Sequence, residues 1–255
     1  MLNYIESRDN AKIKNAVKIS QDAKYRRENG VFFASTRKVV CDIIDAGFEA
    51  VAVFALESEY EKIKSYTADI PVYVISRQVC EKLSESKTED GVFGVFKTKP
   101  VDRDKIFSAD RLLVLQDIQD PNNMGAILRT ALGFGYDNVV VSDKCRDIYS
   151  RKVIRTSMTA SVKVNVLRTA DLISLTESLR QKGFTAVAAC LEGASELGRV
   201  KTKLPVALYI GNEGNGLSKD VVSACDIRLK IPMSDRIESL NRAVSRAVLM
   251  WELRE

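Results

Sequence analysis

Three short polar segments in the second half of the chain carry side chains that could bind and orient a ligand. They are Asp120-Pro121-Asn122-Asn123-Met124-Gly125 with Arg129 one to two helical turns on, Gly211-Asn212-Glu213-Gly214-Asn215-Gly216, and Ile231-Pro232-Met233 followed by Ser239-Leu240-Asn241. Each adjoins an apolar strand-like run or a helix start, and loops at strand ends are where α/β proteins place their chemistry. The guanidinium of Arg129 is a planar fork suited to a phosphate, although a helical Arg is also at home as a solvated surface residue. The glycines at 211, 214 and 216 let backbone approach a ligand closely. A dinucleotide cradle would read GxGxxG at the first strand-to-helix turn. Here Glu213 would repel a pyrophosphate and the segment lies late in the chain, which leaves either a tight turn without a ligand or a site of another kind. Pro232 removes one backbone donor at a strand end, and Ser239 is a reasonable cap for the last helix. Each piece alone is bland; the three in order suggest one composite site.

The rest of the composition narrows the chemistry. Histidine is absent, which removes the commonest general base and the commonest metal ligand, and no clustered carboxylate pattern replaces them. No metal site is expected. The five cysteines (Cys41, Cys80, Cys145, Cys190, Cys225) are scattered without a CxxC pair, as expected for reduced thiols in a cytoplasm. Met1 leads into polar residues rather than an apolar leader, and no apolar run approaches the ~20 residues that span a bilayer. Of the formal net charge of +5, the segment from Met1 to Lys38 carries the whole surplus, with nine basic residues against four acidic ones. A mildly basic chain with its charge gathered at one end is compatible with a polyanionic partner.

The elements that would position these residues can be read from periodicity. Residues 1–97 alternate helix and strand: a basic helix over Lys12–Glu28, strands at Val31–Ala34, Ala50–Leu56, Val72–Ile75 and Gly91–Phe96, and helices at Thr36–Ala46, Glu57–Ser65 and Gln78–Ser84, a small α/β unit. The stretch Lys97–Asp104 is polar, contains Pro100 and lacks periodicity, so residues 98–108 read as a linker. Residues 109–255 open on the continuous apolar run Arg111–Gln116, as in a strand buried on both faces of a parallel sheet. Further strands are expected at Val139–Val141, Val162–Leu167, Thr185–Ala189, Val206–Ile210 and Ile227–Ile231. The segment after Asn122 and Asn123 reads as a helix capped by an Asn. A last amphipathic helix carries Leu240, Val244, Ala247, Val248 and Trp251 on one face.

The three segments, in order and at similar spacing, resemble the motifs DPxNxGAixRtA, GxExxG and IPM…SLN of the SpoU (TrmH-type) RNA ribose 2′-O-methyltransferases. Ser157-Met158-Thr159 stands where that family often has an SxG-like turn, with Thr159 in place of the Gly. The resemblance is strong over residues 111–255 and weak over 1–97, where Phe32-Phe33-Ala34-Ser35-Thr36 replaces the usual FxVEG. It implies an α/β fold with a C-terminal SPOUT domain, knotted as a trefoil, behind a small L30e-like RNA-binding domain. It further implies S-adenosyl-L-methionine as cofactor, held by Gly211, Ile231, Met233 and Leu240 largely through backbone. The reaction implied is methyl transfer to a ribose 2′-hydroxyl of RNA, ribosomal in preference to transfer RNA, by a cytoplasmic homodimer. Family precedent makes Arg129 the base, helped by an RNA phosphate. A guanidinium gives up its proton reluctantly, which suits Arg129 better to clamping the phosphate and orienting the hydroxyl. Asn123 would shape the site, and Glu213 and Asn241 would hold its loops. One departure is Ala243 where the family often has a hydroxyl, with Arg242 and Arg246 adding charge. The alternatives are an RNA-binding protein of the same fold without methyl transfer and, disfavoured by Glu213, a nucleotide-binding oxidoreductase.

Overall fold

The computed structural model describes residues 3–85, 89–200, 202–234, 240 and 242–254. In chain order the first elements are β1 (Asn3–Ile5), α1 (Ala11–Gln21), α2 (Ala23–Asn29), β2 (Val31–Ser35), α3 (Arg37–Asp45), β3 (Ala50–Leu56), α4 (Glu57–Ile63), β4 (Val72–Ile75), α5 (Arg77–Leu83) and β5 (Val92–Lys97). Then come α6 (Arg103–Phe107), β6 (Arg111–Leu115), α7 (Pro121–Gly133), β7 (Asn138–Ser142), α8 (Arg151–Thr156), α9 (Ala160–Lys163), β8 (Asn165–Thr169) and α10 (Leu172–Gln181). The last are β9 (Thr185–Ala189), β10 (Ser195–Glu196), β11 (Val206–Ile210), α11 (Lys219–Ala224), β12 (Ile227–Lys230) and α12 (Arg242–Glu252). They form two compact units, residues 1–100 with 147–162, and residues 101–146 with 163–255.

The first unit is built on a mixed five-stranded sheet of order β1-β4-β3-β5-β2. Its strands alternate between two buried faces. Phe32, Ala34, Val53, Ala55 and Phe96 pack in one cluster, while Phe33, Ala52, Phe54, Phe93 and Val95 pack in the other. Burial on both faces is why these strands read as unbroken apolar runs. The excursion 147–162 supplies Ile154 and Val162 to the first cluster and stacks Tyr149 on Phe32. Two buried ion pairs hold it: Arg26 to Asp147 at 2.7 Å and Arg151 to Glu89 at 3.0 Å. Buried charges persist only when paired in this way.

The second unit is a seven-stranded sheet, parallel at every pairing, of order β10-β12-β9-β11-β6-β7-β8. The chain runs from β6 outward to β8, then returns to lay β9, β11 and β12 on the other side. The reversal falls between β6 and β11, where Ile210 lies opposite Leu115. In open parallel sheets the crevice beyond the strand ends at such a reversal is where ligands bind. The loops after these two strands are the ones that carry Asn123 and Glu213.

Four details differ from the sequence reading. The basic helix is broken at Asp22, whose extended backbone ends α1 and whose carboxylate caps α2 by accepting from the Tyr25 N–H at 3.0 Å. The expected strand at Val162–Leu167 is one turn of α9 followed by β8, because a short run of β-branched residues fits either period. Residues 98–108, expected to lack structure, hold α6, capped by Asp102 and anchored by the fully buried Ile106. The helix after the first motif is capped by Asp120, not by an Asn: its carboxylate accepts from the Asn122 and Asn123 N–H groups, and Pro121 sits where no donor is needed.

Candidate active site

The turn after β11 folds back on itself. Asn212 and Gly216 exchange backbone hydrogen bonds of 3.0 Å in both directions, and the Asn212 side chain accepts from the Gly214 N–H at 2.8 Å. Gly211 has to be glycine for this internal reason: a Cβ would collide with the Gly216 carbonyl and the Leu217 backbone nitrogen. The same Asn212 donates its amide to the Asp117 carbonyl at 2.8 Å, which ties the turn to the loop after β6. Gln116 and Ser218 make a second tie, with the Ser218 N–H and the Gln116 amide donating reciprocally at 2.8 and 3.0 Å.

These ties present Glu213 inward, its side chain only 12% exposed. One carboxylate oxygen, Oε1, accepts from Asn123 Nδ2 on the first turn of α7 at 3.0 Å. The same oxygen lies 3.5 Å from Arg246 Nη2 on α12, which also donates to the Gly211 carbonyl at 3.4 Å. Residues 123, 211, 213 and 246 therefore meet although they come from widely separated parts of the chain. In the sequence Arg246 reads only as added charge; its recurrence one helical turn after Ala243 is the signal that could have placed it on the site face.

Beside this set, the carboxyl ends of β9 and β12 open into a cleft of about 210 Å³. Leu229, Ile231, Leu240 and Leu249 give it apolar walls, and Met233, Cys190, Ser245 and Lys230 are also among its lining. A larger polar hollow adjoins it and shares Ala189, Cys190 and Leu191; Gly214, Asn215 and Gly216 line its far side. An apolar cleft beside a hollow of mixed polar and apolar lining suits a ligand with an apolar part and a polar part. Burial pushes the Cys190 thiol up from its ordinary pKa, which favours the neutral thiol at this wall of the cleft. Among the described residues no group of three or more His, Cys, Asp or Glu is placed to hold a metal.

The expected site residues thus divide. Asn123, Glu213 and Gly211 belong to the hydrogen-bonded set, and Ile231, Met233 and Leu240 to the cleft. Arg129 is exposed on α7 and makes no hydrogen bond or ion pair among the described residues, so its fork is available to a partner. Ser239 and Asn241 lie outside the described residues.

The SpoU rRNA Methylase family matches residues 110–251, and the MRM3-like substrate binding domain matches residues 10–94. Among curated relatives, the 23S rRNA (guanosine(2553)-2'-O)-methyltransferase RlmP of Bacillus subtilis (strain 168) is 26% identical over 253 residues, covering 99% of this chain and 100% of that one. Among solved structures, the AdoMet-bound rRNA methyltransferase from Sinorhizobium meliloti superposes with a TM-score of 0.87 at 24% identity, over 99% of this chain and 97% of that one. The SpoU methyltransferase AviRb from Streptomyces viridochromogenes, in complex with AdoMet, gives 0.85 at 21% identity over 96% and 97%. With more than half of its length matched, and with Asn123 and Glu213 of the first two motifs meeting beside the reversal of one parallel sheet, the chain belongs to the SpoU rRNA methylase family.

Proposed function

We propose that this protein transfers a methyl group from S-adenosyl-L-methionine to a ribose 2′-hydroxyl of RNA, ribosomal in preference to transfer RNA. The observation that carries the reading is the Asn123–Glu213–Arg246 set joining the strand-end loops beside the apolar cleft. The family match over residues 110–251 and the rRNA-acting relative at 26% identity support it. The residues present fit the cofactor: Leu229, Ile231, Leu240 and Leu249 would sandwich its adenine, and the adjoining hollow would take its polar end. When bound, the cofactor supplies a methyl group on an electrophilic sulfonium centre. The chain's own residues do the rest. Glu213 fixes Asn123 at the start of α7, and Arg129, with no competing partner among the described residues, clamps an RNA phosphate and orients the hydroxyl that will lose its proton.

The finer parts of the reading are proposals on the same footing. Residues 1–97 would bind RNA, as the substrate-binding domain match at 10–94 suggests, with residues 98–108 leading into the methyltransferase domain 109–255. The C-terminal segment would thread the trefoil knot. In support, α12 returns to the opposite end of the chain's own sheet, with Tyr136 donating to the Met250 and Leu253 carbonyls and Arg111 to the Arg254 carbonyl. A cytoplasmic homodimer is proposed from five free cysteines and from the exposed apolar face of α12.

The test is transfer of labelled methyl from S-adenosyl-L-methionine to unmodified total RNA, followed by nuclease mapping. Label in a 2′-O-methyl nucleotide of ribosomal RNA is the expected result. Absence of both label and cofactor binding would sink the reading in favour of an RNA-binding protein without transfer activity.

A further inference from the structure

We propose that Arg246 is a positioning residue of the site, the counter-charge that holds Glu213, and through it Asn123, in register with the cofactor cleft. The proposal rests on the methyltransferase reading for its catalytic consequence but on geometry alone for the coupling. Arg246 is buried, with its side chain 7% exposed, and one guanidinium nitrogen reaches both the Glu213 carboxylate at 3.5 Å and the Gly211 carbonyl at 3.4 Å. A single guanidinium nitrogen thus bridges a carboxylate and a backbone carbonyl, at the end of a side chain longer than that of Lys. The Glu213 oxygen it faces is the one that accepts from Asn123 at 3.0 Å, so the carboxylate is a hinge pin between α7 and α12. Removing the cation from a buried ion pair leaves the other charge without compensation, which is costly. The neighbours of Arg246 on α12, Ser245 and Leu249, line the cleft. One helix therefore forms a wall for the cofactor and supplies the charge that orients the residues around the reacting hydroxyl. Ala243, where the family often carries a hydroxyl, lies one turn before Arg246 on the same helix, and the guanidinium supplies from the next turn a polar anchor that a methyl group cannot.

The experiment uses the full chain and four variants: Arg246→Met, Arg246→Lys, Glu213→Gln, and Arg246→Met combined with Glu213→Gln. Melting temperature is read without RNA or cofactor. S-adenosyl-L-methionine affinity and single-turnover transfer to unmodified ribosomal RNA are read separately. Arg246→Met leaves a buried carboxylate unpaired and should lower the Tm by roughly 6–12 °C. It should slow transfer about 100-fold, with a smaller loss of cofactor affinity. Arg246→Lys, which keeps the charge but shortens its reach, should fall between Arg246→Met and wild type. Adding Glu213→Gln to Arg246→Met removes the unpaired charge and should recover most of the Tm and about tenfold in transfer rate, a non-additivity that simple loss of packing does not produce. Independent, additive effects, or an Arg246→Met variant equal to wild type, would overturn the proposal. A wild-type chain that transfers no methyl group would count against the proposed reaction, while the Tm coupling would still decide whether Arg246 and Glu213 act together.

Discussion

At the scale of single residues, the site is organised around one carboxylate oxygen. In the sequence Glu213 is the residue that argues against a phosphate cradle, and in the fold its accepting oxygen is what Asn123 and Arg246 share. Arg129 is the opposite case: it is exposed and has no partner among the described residues. A structural Arg would be expected to hold a carbonyl or a carboxylate, as Arg26, Arg151 and Arg246 do here. Arg129→Ala should therefore leave stability and cofactor affinity nearly intact and reduce methyl transfer by roughly 10²–10³-fold, the size of effect seen when one positioned donor is removed from a reacting centre. Calorimetric titration beside a transfer assay checks it; wild-type turnover in this variant would refute the assignment.

At the scale of elements, the glycine-bearing turn shows how a sequence signal can have two causes. A glycine at 211 reads equally as space for a ligand and as space for the chain, and the structure favours the chain, because the antiparallel bridge between Asn212 and Gly216 brings their backbone against it. Gly211→Ala should consequently disturb the turn even without ligand. The expected cost is about 1–3 kcal/mol, in line with overpacking of a tight site, together with weakened cofactor binding as Gly214–Gly216 move from the polar hollow. Urea unfolding of the cofactor-free variant checks the first part, and an unchanged midpoint would show that the turn can relax. The cap of α7 carries the same lesson. Asp120, Asn122 and Asn123 are all competent caps; Asp120 takes the role, and this releases the Asn123 side chain to meet Glu213.

At the scale of the whole molecule, the chain leaves its second unit at Asp147, contributes two buried ion pairs and a stacked Tyr149 to the first, and returns at Lys163. No local pattern marks this excursion, and in the sequence residues 147–162 read as continuous with the strands and helices on either side. The outer face of α12 bears on assembly. Val244 and Trp251, seven residues apart and each 51% exposed, share one stripe, and Phe134 from α7 packs edge-on to the Trp251 ring. If this stripe is the proposed homodimer contact, sedimentation should give twice the chain mass, and Trp251→Glu should give the monomer. A wild-type monomer at micromolar concentration would rule that contact out.

The sequence by itself determined the alternation of strand and helix, the parallel character of the second sheet, the absence of histidine chemistry and the family carried by three motifs. These rest on local properties: periodicity, residue type and spacing act over a few positions. Tertiary structure decided which capping candidate takes the cap, why Gly211 must be glycine, and where the 147–162 excursion belongs. It also brought Arg246 onto Glu213 and the Gly211 carbonyl. Each of these depends on groups far apart in the chain being buried together, where an unpaired charge or a misplaced methyl is costly, and no local pattern encodes which distant partner will meet that cost.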